Sequence, residues 1–196
     1  MLPKRTHPLS RTEILDAALR IVDTEGVDAL SMRRLARDLG VEAMTLYHHF
    51  PNKDAIVDGV IMLALQAEAP TGPLPSDWKE PVAASVTGFR RVLVNHPNVL
   101  PLMVAHPPTS PESGVLIEGP LRFLAANGFS DADSSELFQA VFALAFGHAL
   151  LSTNYPTLEF EGAPSVAFTE ESFARSLGVV LDGYESRRAD EAGAED

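Results

Sequence analysis

A chain of 196 residues, 45% of them hydrophobic and 21% charged, is long enough for one domain with a sizeable core or for a small domain joined to a larger one. It has no cysteine, which excludes disulfides, thiolate nucleophiles and cysteine metal sites and fits a reducing cytoplasm. The formal net charge of −12 argues against indiscriminate binding to polyanions, yet it is unevenly spread, because residues 1–60 carry a net of −1 and residues 61–196 a net of −11. Met1–Thr12 has no apolar core of the signal-peptide kind, and the apolar run Leu137–Leu151, broken by Gln139, Gly147 and His148, reads as too short to span a bilayer.

In chain order, Lys4, Arg5 and Arg11 form a basic arm with no acid before Glu13. Ser10-Arg-Thr-Glu13 is a capping box, and Ile14, Ala17, Ala18, Ile21 and Val22 follow at helical spacing until Gly26. Ser31 caps a second helix that carries Arg33, Arg34 and Arg37, turns Leu35 and Leu39 inward and stops at Gly40. A third, short helix covers Glu42–His48. Asn52 caps a fourth that runs to Ala69.

Pro70–Pro75 is a turn-rich linker and the chain's best internal boundary. Beyond it the pattern predicts helices over Trp78–Asn95, Asn98–Ala105, from Ser110-Pro111 towards Asn127, over Ser130–Thr153, and from Thr169 onward. Gly119-Pro120 predicts a kink, Asn154–Ser165 an irregular loop, and Phe168 with Phe173 a hydrophobic staple. No strand-period segment of weight and no repeat is present, so the expected class is all-α. The small, acidic stretch 189–196 reads as a disordered tail.

Enzyme signatures are missing: there is no Gly-x-Gly-x-x-Gly, phosphate loop or Gly-x-Ser-x-Gly, and no histidine pair at i, i+4 for a metal. The stronger signal is the pair of short helices meeting at Gly40, which reads as a helix-turn-helix. At about 100° per residue, Leu46 faces inward, Met44 and His48 face outward, and Thr45 and Tyr47 flank them. Hydroxyls suit phosphates, and an apolar side chain suits a thymine methyl. An ordinary helical hairpin in which Tyr47 merely packs is the competing reading.

The stretch Ile14–Ala64, with Gly26, Leu35-Ala36, Leu39-Gly40-Val41, Thr45-Leu46-Tyr47, His49-Phe50 and Asn52-Lys53, resembles the tetracycline-repressor (TetR) family of bacterial transcription regulators. The resemblance implies base-facing positions at Arg33, Ala43, Met44 and Thr45, and phosphate-contacting positions at Thr45, Tyr47, His49 and Lys53. Ala43 and Met44 stand where tetracycline repressors carry Gln and Pro, so base readout is expected to be less polar. Trp78, Phe89-Arg90, Asn95-His96, Pro108-Thr109, Phe123-Leu124 and Gly128-Phe129-Ser130 resemble the C-terminal domain of the same repressors. That implies an effector cavity after the linker and a homodimer built by the last two long helices.

The drug-contacting positions of those repressors fall on Ala67, Ser85 and Pro120, and the metal-ligating histidine on Met103, with only Phe89 retained, so no metal is expected. Phe89, Leu93, Met103, Leu121, Phe138 and Phe142 point to a small, largely apolar effector, with Ser85, His106 and His148 as candidate polar anchors. For the dimer the apolar stripes offer Leu137, Val141, Leu144 and Leu151 on one helix and Phe173, Leu177, Val180, Leu181 and Tyr184 on the last. The expected organisation is a helix-turn-helix domain over 1–53, a connecting helix over 54–69 and an effector-binding and dimerisation domain over 70–188. The expected function is that of a cytoplasmic repressor binding a palindromic double-stranded operator and released by the effector. A helical small-molecule-binding protein without specific DNA recognition is the alternative.

Overall fold

The computed structural model describes residues 7–68, 77–106 and 111–194. Lys4, Arg5, the 70–75 linker and the Ser110 cap lie outside the described residues. The helices are α1 (Arg11–Glu25), α2 (Met32–Leu39), α3 (Ala43–Tyr47), α4 (Lys53–Ala67), α5 (Lys79–Asn95), α6 (Val99–Ala105), α7 (Pro111–Ala126), α8 (Asp131–Asn154) and α9 (Glu170–Ala194). The chain divides into two compact units, Met1–Ala67 with His96–Gly114, and Glu68–Asn95 with Val115–Asp196.

In the first unit the caps form as their sequences dictate. Ser10 Oγ accepts from the Glu13 amide at 3.1 Å while the Glu13 carboxylate accepts from the Ser10 amide at 2.9 Å. Ser31 Oγ accepts from the Arg34 amide at 3.2 Å, and Asn52 Oδ1 from the Ala55 amide at 2.8 Å. Ile14, Ala18, Val22, Leu35, Leu46, Phe50, Ile56, Val57 and Val60 are buried together as the core of α1–α4. α4 lies close on α1 because Gly59 has no side chain, and a Cβ there would meet Leu15 Cδ2 at 2.6 Å.

α6 belongs to this unit, although the composition of the linker places it in the C-terminal domain. Its lead-in is tied to the end of α1: Asn98 Nδ2 donates to the carbonyls of Val22 at 2.9 Å and Asp23 at 3.2 Å, and His96 Nδ1 lies 2.9 Å from Asp23 Oδ2. Val99 and Leu102 are buried, and α6 packs on α4. A linker marks where the chain is loose, not which later helix folds back across it.

In the second unit α5, α8 and α9 enclose a core of Trp78, Leu124, Phe129, Leu137, Val141, Ala145, Phe173, Leu177 and Leu181. Trp78 meets Phe129 edge to face at 4.8 Å. Charged clamps hold the far end of α9: Arg187 pairs with Asp133 and Glu136, and Arg188 stacks on the Phe129 ring at 3.9 Å. These anchors carry α9 helical to Ala194, well into the stretch expected to be disordered.

Two further expectations are corrected. The segment expected as an irregular loop forms an antiparallel hairpin, β1 (Thr157–Phe160) with β2 (Ala163–Ala167), turning at Gly162. It is nearly all exposed, so it shows no buried face whose alternation a sequence could display. α7 is helical on both sides of Pro120. α8 is 24 residues, long and apolar enough to cross a membrane by length and composition, so the shortness of the apolar run is no argument. Its buried side is core instead, with Leu137, Ala145, His148 and Ala149 enclosed by protein.

Leu177 is only 2% exposed within a single chain. We expect Leu177→Asp to lower stability by at least about 3 kcal/mol by burying an unpaired charge. Circular-dichroism melting checks this, and an unchanged Tm would contradict the placement.

Candidate nucleic-acid interface and the C-terminal side chains

The surface on the first unit is built outward from the turn between α2 and α3. Gly40 takes φ 68°, its amide donates to the Arg37 carbonyl at 3.2 Å, and the Val41 amide returns to the Ala36 carbonyl at 2.9 Å. This pair of bonds closes α2 and reverses the chain, and only glycine takes the left-handed backbone without cost. α3 then has one inward anchor, Leu46, which is fully buried. The geometry of a helix turns Met44, Tyr47 and His48 to the outside once Leu46 is fixed, and all three are exposed.

Met44 is 66% and Tyr47 48% exposed, unusual for large apolar side chains that have a core beside them. Ala43, Thr45 and His49 are half-buried at the margin of this face. Arg33 and Arg37 are exposed on α2. Lys53 begins α4, half-buried, with Nζ 3.5 Å from the Val27 carbonyl.

Two of the basic residues near this surface, Arg34 and Arg11, serve the scaffold. Arg34 forks onto Glu25 at 2.6 and 2.7 Å and onto Asp38 at 3.0 Å, tying α2 to the end of α1. Its hydrogen bonds to Glu25 and Asp38 raise its pKa, and the Arg34 bond holds Glu25 below the usual carboxylate range. Arg11 donates to the His49 carbonyl and stacks 4.0 Å over the Phe50 ring, so the first residue of α1 locks the end of α3. Spacing cannot show this, since the contact spans 38 residues.

In the second unit Phe89 stacks on Phe142 at 5.1 Å, and Phe142 lies between Phe138 at 5.9 Å and Phe146 at 5.7 Å. Three effector candidates, Phe89, Phe138 and Phe142, therefore form one aromatic ladder that also includes Phe146, which periodicity alone does not single out. Leu93 is fully buried, Leu121 half-buried and Ser85 exposed. Met103 and His106 belong to the first unit, where His106 Nδ1 faces Asp54 at 3.9 Å.

His148 is not a free polar anchor. It is 8% exposed, and both ring nitrogens are engaged. Arg90 Nε donates to Nδ1 at 3.0 Å, which leaves the ring proton on Nε2, facing Ser172 Oγ at 3.2 Å. Phe168 and Phe173 close on the imidazole edge to face at 5.6 and 5.2 Å. Burial lowers the His148 pKa first, and the Arg90 charge lowers it further.

The dimer candidates need a similar correction. Leu137, Val141, Phe173, Leu177 and Leu181 are consumed by the core of their own chain, and Leu144, Leu151, Val180 and Tyr184 are half-buried. Periodicity finds an apolar stripe but does not say whether another helix of the same chain already covers it.

The chain matches the model of bacterial regulatory proteins of the tetR family over residues 14–60, and the tetracyclin repressor-like C-terminal domain over residues 71–154. Tetracycline repressor protein class E of Escherichia coli is 30% identical over 145 residues, spanning 72% of this chain and 68% of that protein. Two solved structures share the fold. ActR of Streptomyces coelicolor in complex with actinorhodin has a TM-score of 0.70 and 25% identity, covering 92% of this chain and 98% of that one. BioQ with its double-stranded DNA operator has a TM-score of 0.65 and 27% identity, covering 91% and 99%. An outward-facing recognition helix behind a Gly40 turn, followed by a helical second unit, defines a one-component transcription regulator. The chain belongs to the TetR family.

Tyr47→Ala should weaken operator binding about tenfold or more with the melting curve unchanged, the size expected for one lost phosphate contact and its packing. Met44→Ala should alter sequence preference more than affinity for random DNA. Mobility shifts on both DNAs decide this, and equal losses on the two would contradict the outward assignment of Met44. For His148, the unfolded chain takes up a proton below about pH 6.5 while the folded chain, with its lowered pKa, does not. Stability from this group is therefore full above pH 6.5 and falls as pH drops, by up to about 1.4 kcal/mol per pH unit. Melting between pH 7.5 and 5.5 should show a shallower pH slope in His148→Gln than in the parent.

Proposed function

We propose that this chain is a cytoplasmic transcriptional repressor rather than an enzyme, acting as a homodimer on a palindromic operator and released by a small effector. The observation that carries the reading is the pairing of exposed Met44 and Tyr47 on α3 with exposed Arg33 and Arg37 on α2, all held by buried Leu35 and Leu46. Nothing within the fold calls for the exposure of these side chains, and they form the face that a major groove accepts. In support, the related BioQ was solved with a DNA operator and the related ActR with actinorhodin.

Thr45, Tyr47, His49 and Lys53 hold phosphates in this reading, and Arg33, Ala43, Met44 and His48 face base edges. Affinity then depends on local potential, and the acid of the remaining chain disfavours non-specific DNA. The effector meets the Phe89–Phe142 ladder, and no metal is required. A ligand shifts the operator-competent population only by its difference in affinity between the two states.

The dimer seam uses what the core leaves over. α8 turns Ala143 and Leu150 outward, and α9 turns out Val179, which is 74% exposed, between the small residues Gly178 and Gly183. Two such helices per chain build a four-helix interface about a two-fold axis. Recognition helices on a two-fold dimer read half-sites about one helical turn apart.

Capture of bound fragments from the host genome tests the function directly: palindromic sites should be enriched, and random recovery would refute it. Val179→Asp should yield folded monomers by light scattering and at least a tenfold loss of operator affinity. An unaltered mass would remove α9 from the seam.

A further inference from the structure

Arg90 is 6% exposed, yet no carboxylate among the described residues contacts it. Its Nε is fixed on His148 Nδ1, and its guanidinium lies 5.2 Å from the centre of the Phe173 ring. Among the described residues neither terminal nitrogen has a hydrogen-bond partner. At 6% exposure the Arg90 side chain keeps a small opening to solvent.

A buried cation without a contacting anion is costly, and this chain has 27 acidic residues from which to supply one. The acid nearest in effect, Glu170, is exposed and engages Arg91 at 3.5 Å instead. Burial accordingly depresses the Arg90 pKa, while Glu170 acts on it only through space. The His148 end is closed as well. Its Nε2 proton meets Ser172 Oγ, which takes the Thr169 amide at 3.0 Å and donates to the Thr169 carbonyl at 2.9 Å. Among the described residues the network is complete except at the outer two nitrogens of the Arg90 fork.

We propose that Arg90 is the receptor for a carboxylate of the effector, taken end-on by its two terminal nitrogens. The fork matches a carboxylate in plane and spacing, and fixing Nε on His148 leaves that end-on edge as the one available. The effector is then an amphipathic acid, an apolar or aromatic body with one carboxylate, rather than a purely apolar molecule. This proposal rests on the effector-responsive reading under Proposed function.

The test uses the full-length chain and three acids of increasing size, acetate, benzoate and 2-naphthoate, each against its own amide. Calorimetry and the emission of Trp78, the only tryptophan, read binding, and a mobility shift reads operator release. At least one acid should bind ten times more tightly than its amide, and Arg90→Gln should bring that ratio to about one. Should Arg90→Gln fail to fold, Arg90→Lys keeps the charge without the fork and should cut the ratio at least threefold. Acids bound no better than amides, or no better by the parent than by the Arg90 variant, overturn the carboxylate site. Operator release by uncharged compounds with no preference for acids overturns it too while leaving the effector-responsive reading standing. A chain that binds no operator at all overturns both.

Discussion

The left-handed backbone at Gly40 fixes the direction in which the recognition helix can point. With the Val41 amide returned to the Ala36 carbonyl, α3 leaves α2 at one angle, and Leu46 is the only side chain of α3 that reaches the core. A helix of five residues cannot hold itself together in water, and its stability comes from its ends. Gly40 secures the beginning of α3. Arg11, bonded to His49 and stacked on Phe50, secures the residues just past its C-terminus. Between these two fixings, the exposure of Met44 and Tyr47 follows from helix geometry.

The same unit shows how a chain of net charge −12 keeps some of its cations exposed beside α3. The cations are divided by task. Arg34 spends its fork on Glu25 and Asp38, and Arg11 on α3, so their charge is neutralised or used in place. Arg33 and Arg37 stay exposed, with Arg37 no nearer than 4.0 Å to Asp38. The exposed arginines thus sit on α2, the helix that leads into the display of α3.

Much of the first unit is legible in sequence because its signals are local. The Ser10 box, the Ser31 and Asn52 caps and the Gly40 stop each act within a few residues, and each forms. The family, too, is written in the short run around Leu46. Contact across long separations is what a sequence does not display. The roles of Arg11 and Arg34 depend on partners 38 and 9 residues away. Leu177 and Val179 look alike in an apolar pattern, yet one is core and the other is exposed. His148 reads as an open anchor because its partner Arg90 lies 58 residues earlier. The 157–167 hairpin leaves no mark in the pattern because its strands bury nothing and so carry no alternation.

The seat of Leu15 on Gly59 has a mechanical meaning. With Leu15 Cδ2 only 2.6 Å from where a Cβ would stand, α4 cannot slide along α1 without climbing over that side chain. Arg11 fastens the front of α1 to the residues just past α3, so α4, α1 and α3 are joined in series by side-chain contacts within the first unit.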